Sequence, residues 1–433
     1  MELPHDVTFW APLIGWVLGL LSLGMGLRQA RRHRLVTDLP TSKTQGVFIG
    51  LTELKGLARS EAPLASTLSE TRCVWYSYSI EEHWIRTTTS TDSEGKTTTR
   101  TTTGWDTVAS GSEGSPFYLE DDTGVIRVLP EGAEISGDEV YSVQCGTSNP
   151  IYYGLGPPGQ VHGSTHERRF REQAIPIGEA VYTVGRARVR EDVVAAEIAA
   201  FEDAAMFLIS TKSEADIAQR MLWSFWGLTI FGGVLLAGAL AILHFGFERP
   251  IPPDTWGIHG ACYVGALTLG WVWMAFNSLV GLRARVDLGW SQIDIQLKRR
   301  LDLIPGLVSC LKALKEHEAG VQTAIAALRT QTGVTTDSPD GIEGLLGGIQ
   351  VVREAYPELK ANTTFLQLME ELSDTESRIA LARGYFNDIA THYNTRLEII
   401  PDRFVAGLMQ MKPRALLSAE GFERANVDVS FVE

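Results

Sequence analysis

Cysteine is scarce in this sequence, and its arrangement argues against two common classes of domain. The four cysteines stand far apart, and no CxxC pair occurs among Cys73, Cys145, Cys262 and Cys310. Disulfide-stabilised secreted domains and structural zinc domains both need clustered Cys or His residues. The cysteine pattern therefore favours a reducing compartment and a fold that depends on neither kind of cross-link.

An excess of positive charge is also lacking. The chain contains 38 Lys and Arg against 52 Asp and Glu, which gives a formal net charge of −14. Because affinity for nucleic acid depends mainly on neutralising phosphates, this balance argues against a nucleic-acid partner. The basic cluster from Arg28 to Arg34 is better explained by a position beside lipid headgroups.

Three long segments contain no Asp, Glu, Lys or Arg: residues 10–27, 221–247 and 256–280. Each has close to the ~20 apolar residues needed to cross a hydrocarbon core about 30 Å thick. We therefore predict transmembrane helices at residues 8–28, 221–247 and 256–282, with the lipid bilayer as a partner. The absence of charge within these segments argues against an ion transporter.

The basic residues that flank these segments predict their orientation. Residues 28–34 are rich in arginine and follow the first segment, and further Arg and Lys follow the third between Arg283 and Arg300. Since such residues stay on the cytoplasmic side, we predict a multi-pass protein of the inner (plasma) membrane with its N-terminus outside and both soluble domains in the cytoplasm. A cleaved signal peptide is the alternative for the first segment, but it requires positive charge before the apolar core.

The first soluble domain, residues 35–218, is predicted to be a β-rich α+β domain. Runs of strand-forming residues between turn residues occur at 47–49, 73–80, 117–119, 125–129 and 180–184. Residues 87–103 are dense in threonine on both sides of Asp92 to Gly95, which predicts a protruding β-ribbon around a turn. We interpret this ribbon as a solvated hairpin, and a docking arm for a partner is the alternative.

Candidate chemistry in this domain is sparse. Residues 154–159 match the GxGxxG pattern, but two prolines remove amides that a pyrophosphate site would need. His162 and His166 are four residues apart, yet Gly163 and Ser164 between them favour a loop over a metal-binding helix. We therefore predict no catalytic, cofactor-binding or metal-binding residue. The alternatives are a metal-dependent enzyme that uses His83, His162 or His166, and a small-solute channel formed by oligomerised spans.

A series of short motifs runs through this domain between Gly46 and Ser210. They are Cys73 to Tyr78, Glu81 to Trp84, Pro116 to Asp121, Glu167 with Arg168, Ile175 to Glu179, Val181 to Gly185 and Leu208 to Ser210. In content and order they resemble the GIDE domain, a module found between two membrane spans in a mitochondrial E3 ubiquitin ligase. Ligase activity in that family requires a C-terminal RING with clustered zinc ligands, and this sequence has none. The resemblance implies a sensing or binding module beside a membrane, without ubiquitin transfer.

Residues 279–308 carry an eleven-residue repeat of apolar positions, a period of about 3.67 that stays on one face of a straight helix. Its members are Leu279, Leu282, Val286, Trp290, Ile293, Leu297, Leu301, Ile304 and Val308. A loop at 330–340 and a short helix at 342–356 follow in the prediction. A second apolar stripe then consists of Phe365, Leu368, Leu372, Ile379, Ala382, Phe386, Ile389, Tyr393, Leu397 and Ile400. We predict that the two long helices pack antiparallel in a helical bundle at residues 276–433, continuous with the third span.

The same region carries a second family resemblance. The matching residues are Phe276 to Val280, Val286 to Arg300, Asp302 to Val308, Glu354 to Asn362, Phe365 with Leu366, Ile379 to Arg383 and Tyr393 to Arg396. They resemble the LemA family, and the resemblance implies a membrane-anchored helical bundle of bacteria without an established enzymatic activity. The predicted fold class is thus a multi-domain membrane protein with three transmembrane helices, a β-rich α+β domain and a C-terminal antiparallel helical bundle.

The predicted function is a non-enzymatic scaffold, assembly or sensing protein of the bacterial inner membrane. Its partners are expected to be the bilayer and either a second copy of the chain or another protein that contacts the bundle. Arg299, Arg300, Asn394 and Arg396 are the candidate interaction face, although a solvated helix face with i,i+4 pairs explains polar residues at this spacing more simply. We further expect the third helix to pass membrane state into the bundle.

Overall fold

The computed structural model describes residues 5–91, 97–159, 161–190, 195–201, 206–246, 252–314 and 363–417. They belong to two units, one from Thr41–Ser224 and one made of Met1–Pro40 with Phe225–Glu433. The first unit is rich in strands. The second contains the candidate membrane helices, except for the first part of the helix that begins at Glu214, and the C-terminal helices.

The strand-rich unit begins with two short elements and then alternates between two sheets. Its described strands are β1 Thr41–Ser42, β2 Gly50–Arg59, β3 Leu64–Ala65, β4 Arg72–Thr91, β5 Thr97–Gly114, β6 Phe117–Glu120, β7 Val125–Val128, β8 Glu134–Ser136, β9 Asp138–Gly146, β10 Ser164–Pro176, β11 Ala180–Val189, β12 Ala196–Ala199 and β13 Leu208–Ser210. A 3₁₀ turn at Thr44–Gly46 and the four-residue helix α2 at Ile151–Gly154 lie between strands. The label α1 belongs to the helix His5–Thr37 that precedes them.

The first sheet closes into a small barrel. The order β2, β6, β7, β12 and β11 returns to its start because β11 also pairs with β2. Side chains alternate across a strand, so Phe117 and Leu119 of β6 point into the barrel while Tyr118 and Glu120 remain partly exposed. The barrel core consists of Leu54, Ala58, Val74, Phe117, Leu119, Ile126, Val128, Ile175, Val181, Ala187, Ile198, Phe207 and Ile209. Closure leaves these five strands with few unpaired backbone groups.

The second sheet is antiparallel, with β4 between β5 and β10 and with β9 on the far side of β10. The pairing of β4 with β5 extends to Thr91 and Thr97, so the predicted threonine-rich ribbon is confirmed up to its tip. The predicted turn at Asp92 to Gly95 lies outside the described residues. Residues 97–103 are exposed, which agrees with the interpretation as a solvated hairpin.

The predicted strand at 47–49 is wrong, because β2 begins only at Gly50. The preceding residues are held by a turn between β6 and β7 instead of by a neighbouring strand. The Thr44 amide donates to Asp121 Oδ2 at 2.8 Å, and the Thr44 hydroxyl donates to Asp121 Oδ1 at 2.6 Å. The predicted strands at 73–80, 117–119 and 180–184 fall within β4, β6 and β11, and the one at 125–129 extends one residue beyond β7.

Asp121 gives this turn a testable dependence on pH. Burial opposes ionisation, but hydrogen bonds from Thr44 and Thr123 outweigh it and lower the pKa of Asp121 to about 2. A lowered carboxyl pKa stabilises the fold above its unfolded value near 4, and the contribution is lost as the pH falls toward 2. We expect amide protection in β6 and β7 to fall over this range, measured by hydrogen exchange and corrected for intrinsic rates. Asp121→Asn should flatten the profile and exposed Glu131→Gln should not; equal profiles for all three proteins would contradict the assignment.

Among the described residues, three helices are long and apolar enough to cross a membrane, and the second of them begins in the strand-rich unit. They are α1, then α3 at Glu214–Ala241 with a π-helical turn at Ile242–Gly246, and α4 at Pro253–Leu314. By length and composition the candidate spans are Leu13–Thr37, Glu214–Phe245 and Pro253–Leu307. Each overlaps one of the predicted transmembrane segments.

Small residues bring two of the candidate membrane helices, α1 and α3, close together. A Cβ atom on Gly15 of α1 would lie 2.6 Å from Ala239 of α3, and one on Gly19 would lie 3.1 Å from the Gly232 carbonyl oxygen. These pairs run in opposite directions along the two helices, so α1 and α3 are antiparallel. Such small residues allow backbones to approach where lipid supplies no hydrophobic drive for association.

The C-terminal hairpin consists of α4 and α5, Thr363–Glu398, followed by the short helix α6 at Asp402–Leu408. Trp290 stacks edge-on against Phe386 at 5.5 Å, and Gly306 faces Leu368, so α4 and α5 run antiparallel as predicted. Both predicted stripes form the contact. Buried members with at most 5% exposure are Leu279, Leu282, Val286, Ile293, Ile304, Phe365, Leu372, Ile379, Ala382, Phe386, Ile389 and Tyr393.

Two described stripe positions are exposed, and Leu297, Leu301, Leu368 and Leu397 are half-buried. Trp290 is 39% exposed because it packs at the margin of the contact, and Ile400 is 66% exposed because α5 ends at Glu398. The predicted loop at 330–340 and short helix at 342–356 lie outside the described residues. Helix α4 continues through Pro305, so the third candidate span and the first bundle helix are one element.

Candidate functional site

A buried group of charged residues joins parts of the second unit that are distant in sequence. We name it the ion cluster, and it consists of Arg34, Asp38, Ser278, Arg396 and Asp402. Arg34 belongs to the last turn of α1, and Asp38 follows directly. Ser278 is on α4, Arg396 is in the last turn of α5 and Asp402 begins α6. The ion cluster therefore connects four helical segments.

The geometry is a chain of alternating charges. Arg34 Nη1 and Nη2 donate to Asp402 Oδ2 and Oδ1 at 3.1 and 3.0 Å, a bidentate pair. Arg396 Nη1 donates to Asp38 Oδ1 at 2.9 Å, and Arg396 also forms an ion pair with Asp402. The Ser278 hydroxyl donates to Asp38 Oδ2 at 3.0 Å. Bidentate guanidinium pairs of this kind fix orientation as well as distance.

Burial makes this arrangement costly to disturb. The side chains of Asp38 and Asp402 are 5% and 4% exposed, and those of Arg34 and Arg396 are 12% and 16% exposed. Two positive and two negative groups balance one another, as burial requires, and Arg396 Nε is buried without a hydrogen-bond partner among the described residues. An apolar cluster that includes Ala275, Leu279, Val405 and Ala406 joins the same α4 and α6 segments.

The structure places the four residues of the predicted interaction face in different surroundings. Arg396 belongs to the ion cluster. Arg300 is 5% exposed and lies 3.4 Å from Glu376 across the hairpin. Asn394 binds the backbone of Arg414, and Arg299 is exposed. Three of the four thus make contacts within the chain, and an external partner for this face stays a prediction.

The Arg300 pair adds a second buried charge to the hairpin. Burial raises the pKa of Glu376, whereas the nearby guanidinium groups of Arg300 and Arg383 act to lower it. Gln296 Oε1 and Arg300 Nη1 are buried without a hydrogen-bond partner among the described residues. This part of the α4 and α5 contact is therefore polar, unlike the apolar stripe on either side of it.

In the strand-rich unit, the GxGxxG segment contributes to structure. It begins at the end of α2, and its carbonyl groups face a cation. Arg168 Nη1 donates to the Pro157 carbonyl at 2.8 Å and to the Tyr152 carbonyl at 3.0 Å, while Nη2 donates to the Gly159 carbonyl at 2.6 Å. A phosphate site would require amide groups in these positions.

Arg168 also forms the most deeply buried ion pair among the described residues. Its Nη2 donates to Glu82 Oε2 at 2.9 Å, and neither side chain has any exposed surface. Tyr152 donates to the other carboxylate oxygen at 3.1 Å, and Ser164 also donates to it. Burial alone would raise the pKa of Glu82, but the hydrogen bonds from Ser164 and the Arg168 ion pair outweigh burial and lower it.

The histidines considered for metal chemistry do not converge. His83 hydrogen-bonds Thr165 at 2.9 Å and stacks on Trp105 at 5.0 Å, whereas His162 and His166 are exposed. Within the described part of the chain, no group of three His, Cys, Asp or Glu residues is placed to hold a metal ion. His83 therefore has the partners of a structural side chain at the sheet surface.

Comparison with known families places two matches on this architecture. Residues 289–431, which include α5, α6 and the C-terminal half of the ion cluster, match the LemA family model. The C-terminal region is therefore similar to the LemA family. Residues 86–242 match the GIDE model, whose description is E3 Ubiquitin ligase. The GIDE match begins later than the predicted resemblance and extends through α3.

Two curated relatives agree with the LemA match. Protein LemA of Metamycoplasma hominis is 26% identical over 175 residues, which cover 38% of this chain and 80% of that protein. The Magnetosome protein MamQ of Magnetospirillum gryphiswaldense is 26% identical over 171 residues, which cover 32% of this chain and 63% of that protein. Both similarities therefore concern a minor part of this chain.

Proposed function

We propose that the chain is a non-enzymatic, membrane-anchored scaffold in which the ion cluster fixes the LemA bundle to the first membrane helix. The proposed arrangement places the N-terminus outside the bacterial inner membrane and both soluble domains in the cytoplasm. The proposed domains are a GIDE-like domain at 35–218 and a LemA bundle at 276–433.

The ion cluster is the observation that carries this proposal. Arg34 follows the apolar part of α1, and its bidentate partner Asp402 begins the helix after the bundle hairpin. A bundle that was attached to the membrane through α4 alone would not need an ion pair with α1. The second tie, from Asp38 to Arg396 and Ser278, supports a bundle held at a set position relative to two membrane helices.

The experiment compares the neighbours of the bundle with and without the ion cluster. A proximity-labelling enzyme fused to the C-terminus should label a reproducible set of membrane proteins in cells that express the full chain. Asp38→Ala leaves Arg396 and Ser278 without their shared acceptor, so we expect labelling of that set to fall at least tenfold at equal membrane abundance. The matched variant Asp294→Ala, at an exposed position of α4, should label the same set as the unmodified chain.

The outcome that contradicts the proposal is equally specific. An Asp38→Ala chain that is inserted normally and labels the unchanged set would mean that the position of the bundle does not determine its neighbours. If the unmodified chain labelled membrane proteins at random, with no reproducible set, the proposed scaffold function would be wrong.

A further inference from the structure

Two asparagines of α5 hold the segment that follows α6. Asn394 Nδ2 donates to the Arg414 carbonyl at 2.7 Å, and the Arg414 amide donates back to Asn394 Oδ1 at 2.8 Å. Asn387 makes the same two bonds with Leu417, at 2.9 and 2.8 Å. Each side-chain amide thus satisfies both the donor and the acceptor of one backbone residue. We name Asn387 and Asn394 the asparagine ladder.

The spacing of the ladder fits an extended chain. Seven residues separate the asparagines, which is about 10.5 Å along an α-helix. Three residues separate Arg414 and Leu417, and an extended or polyproline-type chain covers about 9 to 10 Å in that interval. Residues 411–417 have neither helical nor strand structure. The distance between the two asparagines along α5 therefore matches the distance between the two backbone residues that they bind.

The bound segment is recognised mainly through its backbone. Residues 412–416 are exposed, and Leu416 has 51% of its surface accessible. Among residues 412–416, the described side-chain contact is the ion pair between Arg414 and Asp287 of α4, at 2.7 Å, whereas Met411 before them packs against the apolar cluster of α4 and α6. That pair is itself exposed, so it contributes to register more than to affinity.

The residue that joins the segment to α6 has an unfavourable backbone conformation. Gln410 has a φ of 53°, in the left-handed region that a residue with a Cβ atom rarely adopts. This conformation belongs to the C-cap of α6, which is closed by bonds from the Gln410 amide to the Gly407 carbonyl at 3.1 Å and from the Met411 amide to the Ala406 carbonyl at 3.0 Å. The cap does not involve Arg414 or Leu417, so release of the ladder bonds leaves α6 intact and costs bonds that another copy of the same segment can replace.

We propose that the asparagine ladder is an exchangeable peptide-binding site whose partner is residues 411–417 of a second copy of this chain. A second copy carries the same backbone groups at the same spacing and the same arginine opposite Asp287. Each chain offers one ladder and one segment, so reciprocal exchange closes a dimer and serial exchange joins copies head to tail. Confinement in a membrane raises the local concentration of copies and favours this exchange. The ladder shares no residue with the ion cluster, so this inference does not depend on the proposed function.

The test uses two full-length variants with complementary defects. The first combines Arg414→Pro and Leu417→Pro, which removes both backbone donors of the segment, keeps an extended backbone and frees the ladder. The second combines Asn387→Ala and Asn394→Ala, which removes the ladder and frees the segment. Both are labelled at their N-termini, reconstituted together in liposomes and compared by energy transfer. We expect the mixed pair to associate at least tenfold more strongly than either variant with itself.

Matched controls separate the ladder bonds from general effects of proline. Ala415→Pro adds the same ring at a position whose amide makes no ladder bond. When the Ala415→Pro chain is mixed with the ladder-deficient chain, instead of the double-proline chain, we expect only background association. A labelled peptide of residues 411–417 should bind the double-proline chain at least tenfold more tightly than the unmodified chain, whose own segment competes. The same peptide with proline at positions 414 and 417 should not bind.

Three results would overturn the inference. Peptide binding to the double-proline chain that is no tighter than to the unmodified chain would mean that the ladder is not an exchangeable site. Mixed-pair association no greater than self-association, with peptide binding intact, would restrict the segment to its own chain. Equal behaviour of Ala415→Pro and the double-proline variant would exclude the backbone bonds as the cause.

Discussion

Arg168→Met should lower the free energy of unfolding of the strand-rich unit by about 3 to 5 kcal/mol. The substitution leaves the Glu82 carboxylate buried without its counter-charge and removes the donor to three backbone carbonyl groups. An uncompensated charge without exposed surface is among the most costly single changes in a folded protein. The measurement is chemical unfolding of the full chain in detergent, with amide protection in β4 and β10 as the readout.

Arg171→Met is the matched control, because Arg171 lies on the same strand with an exposed side chain. It should change the free energy of unfolding by less than about 0.5 kcal/mol. The double variant Arg168→Met with Glu82→Gln should be less unstable than the sum of the two single changes, since neutral partners do not leave a bare charge. Additive losses would mean that the two residues act separately.

Asp402→Ala should have a comparable effect on the second unit, a loss of about 3 to 5 kcal/mol. Asp402 is the anion between Arg34 and Arg396, so its removal leaves two guanidinium groups facing each other in a buried site. We expect α6 to lose amide protection first, because its N-terminal residue supplies that anion. Hydrogen exchange of the full chain in lipid nanodiscs measures this loss segment by segment.

Asp388→Ala provides the comparison, since Asp388 is an exposed aspartate of α5. Its protection pattern should match that of the unmodified chain. In the pair Arg34→Ala and Asp402→Ala, the second substitution should cost less once the first is present. Unchanged protection of α6 in Asp402→Ala would mean that the apolar contacts of Val405 and Ala406 hold the helix without the ion cluster.

The sequence predicts the elements whose signals are local and periodic. The two apolar stripes locate the contact between α4 and α5, and their antiparallel direction follows from the connection along the chain. The threonine-dense residues 87–103 predict a ribbon because β-branched residues flank a turn signal. These features need no information from distant parts of the chain.

The barrel and the ion cluster depend on contacts that no local pattern records. Closure of the barrel comes from the pairing of β2 with β11, and Arg34 meets Asp402 across 368 residues. Arg34 lies within a basic run whose position beside the first span already explains its charge. Asn394 is predicted as part of an outward face, because helical spacing does not reveal that an irregular segment covers it.

The unbroken course of α4 has a mechanical consequence. A helix of 62 residues is roughly 93 Å long at about 1.5 Å per residue. Because the described helix has no break along its length, a tilt of its candidate span would be carried toward its C-terminal end as by a lever. A tilt of about 10° within the bilayer would displace the far end of such a lever by roughly 16 Å.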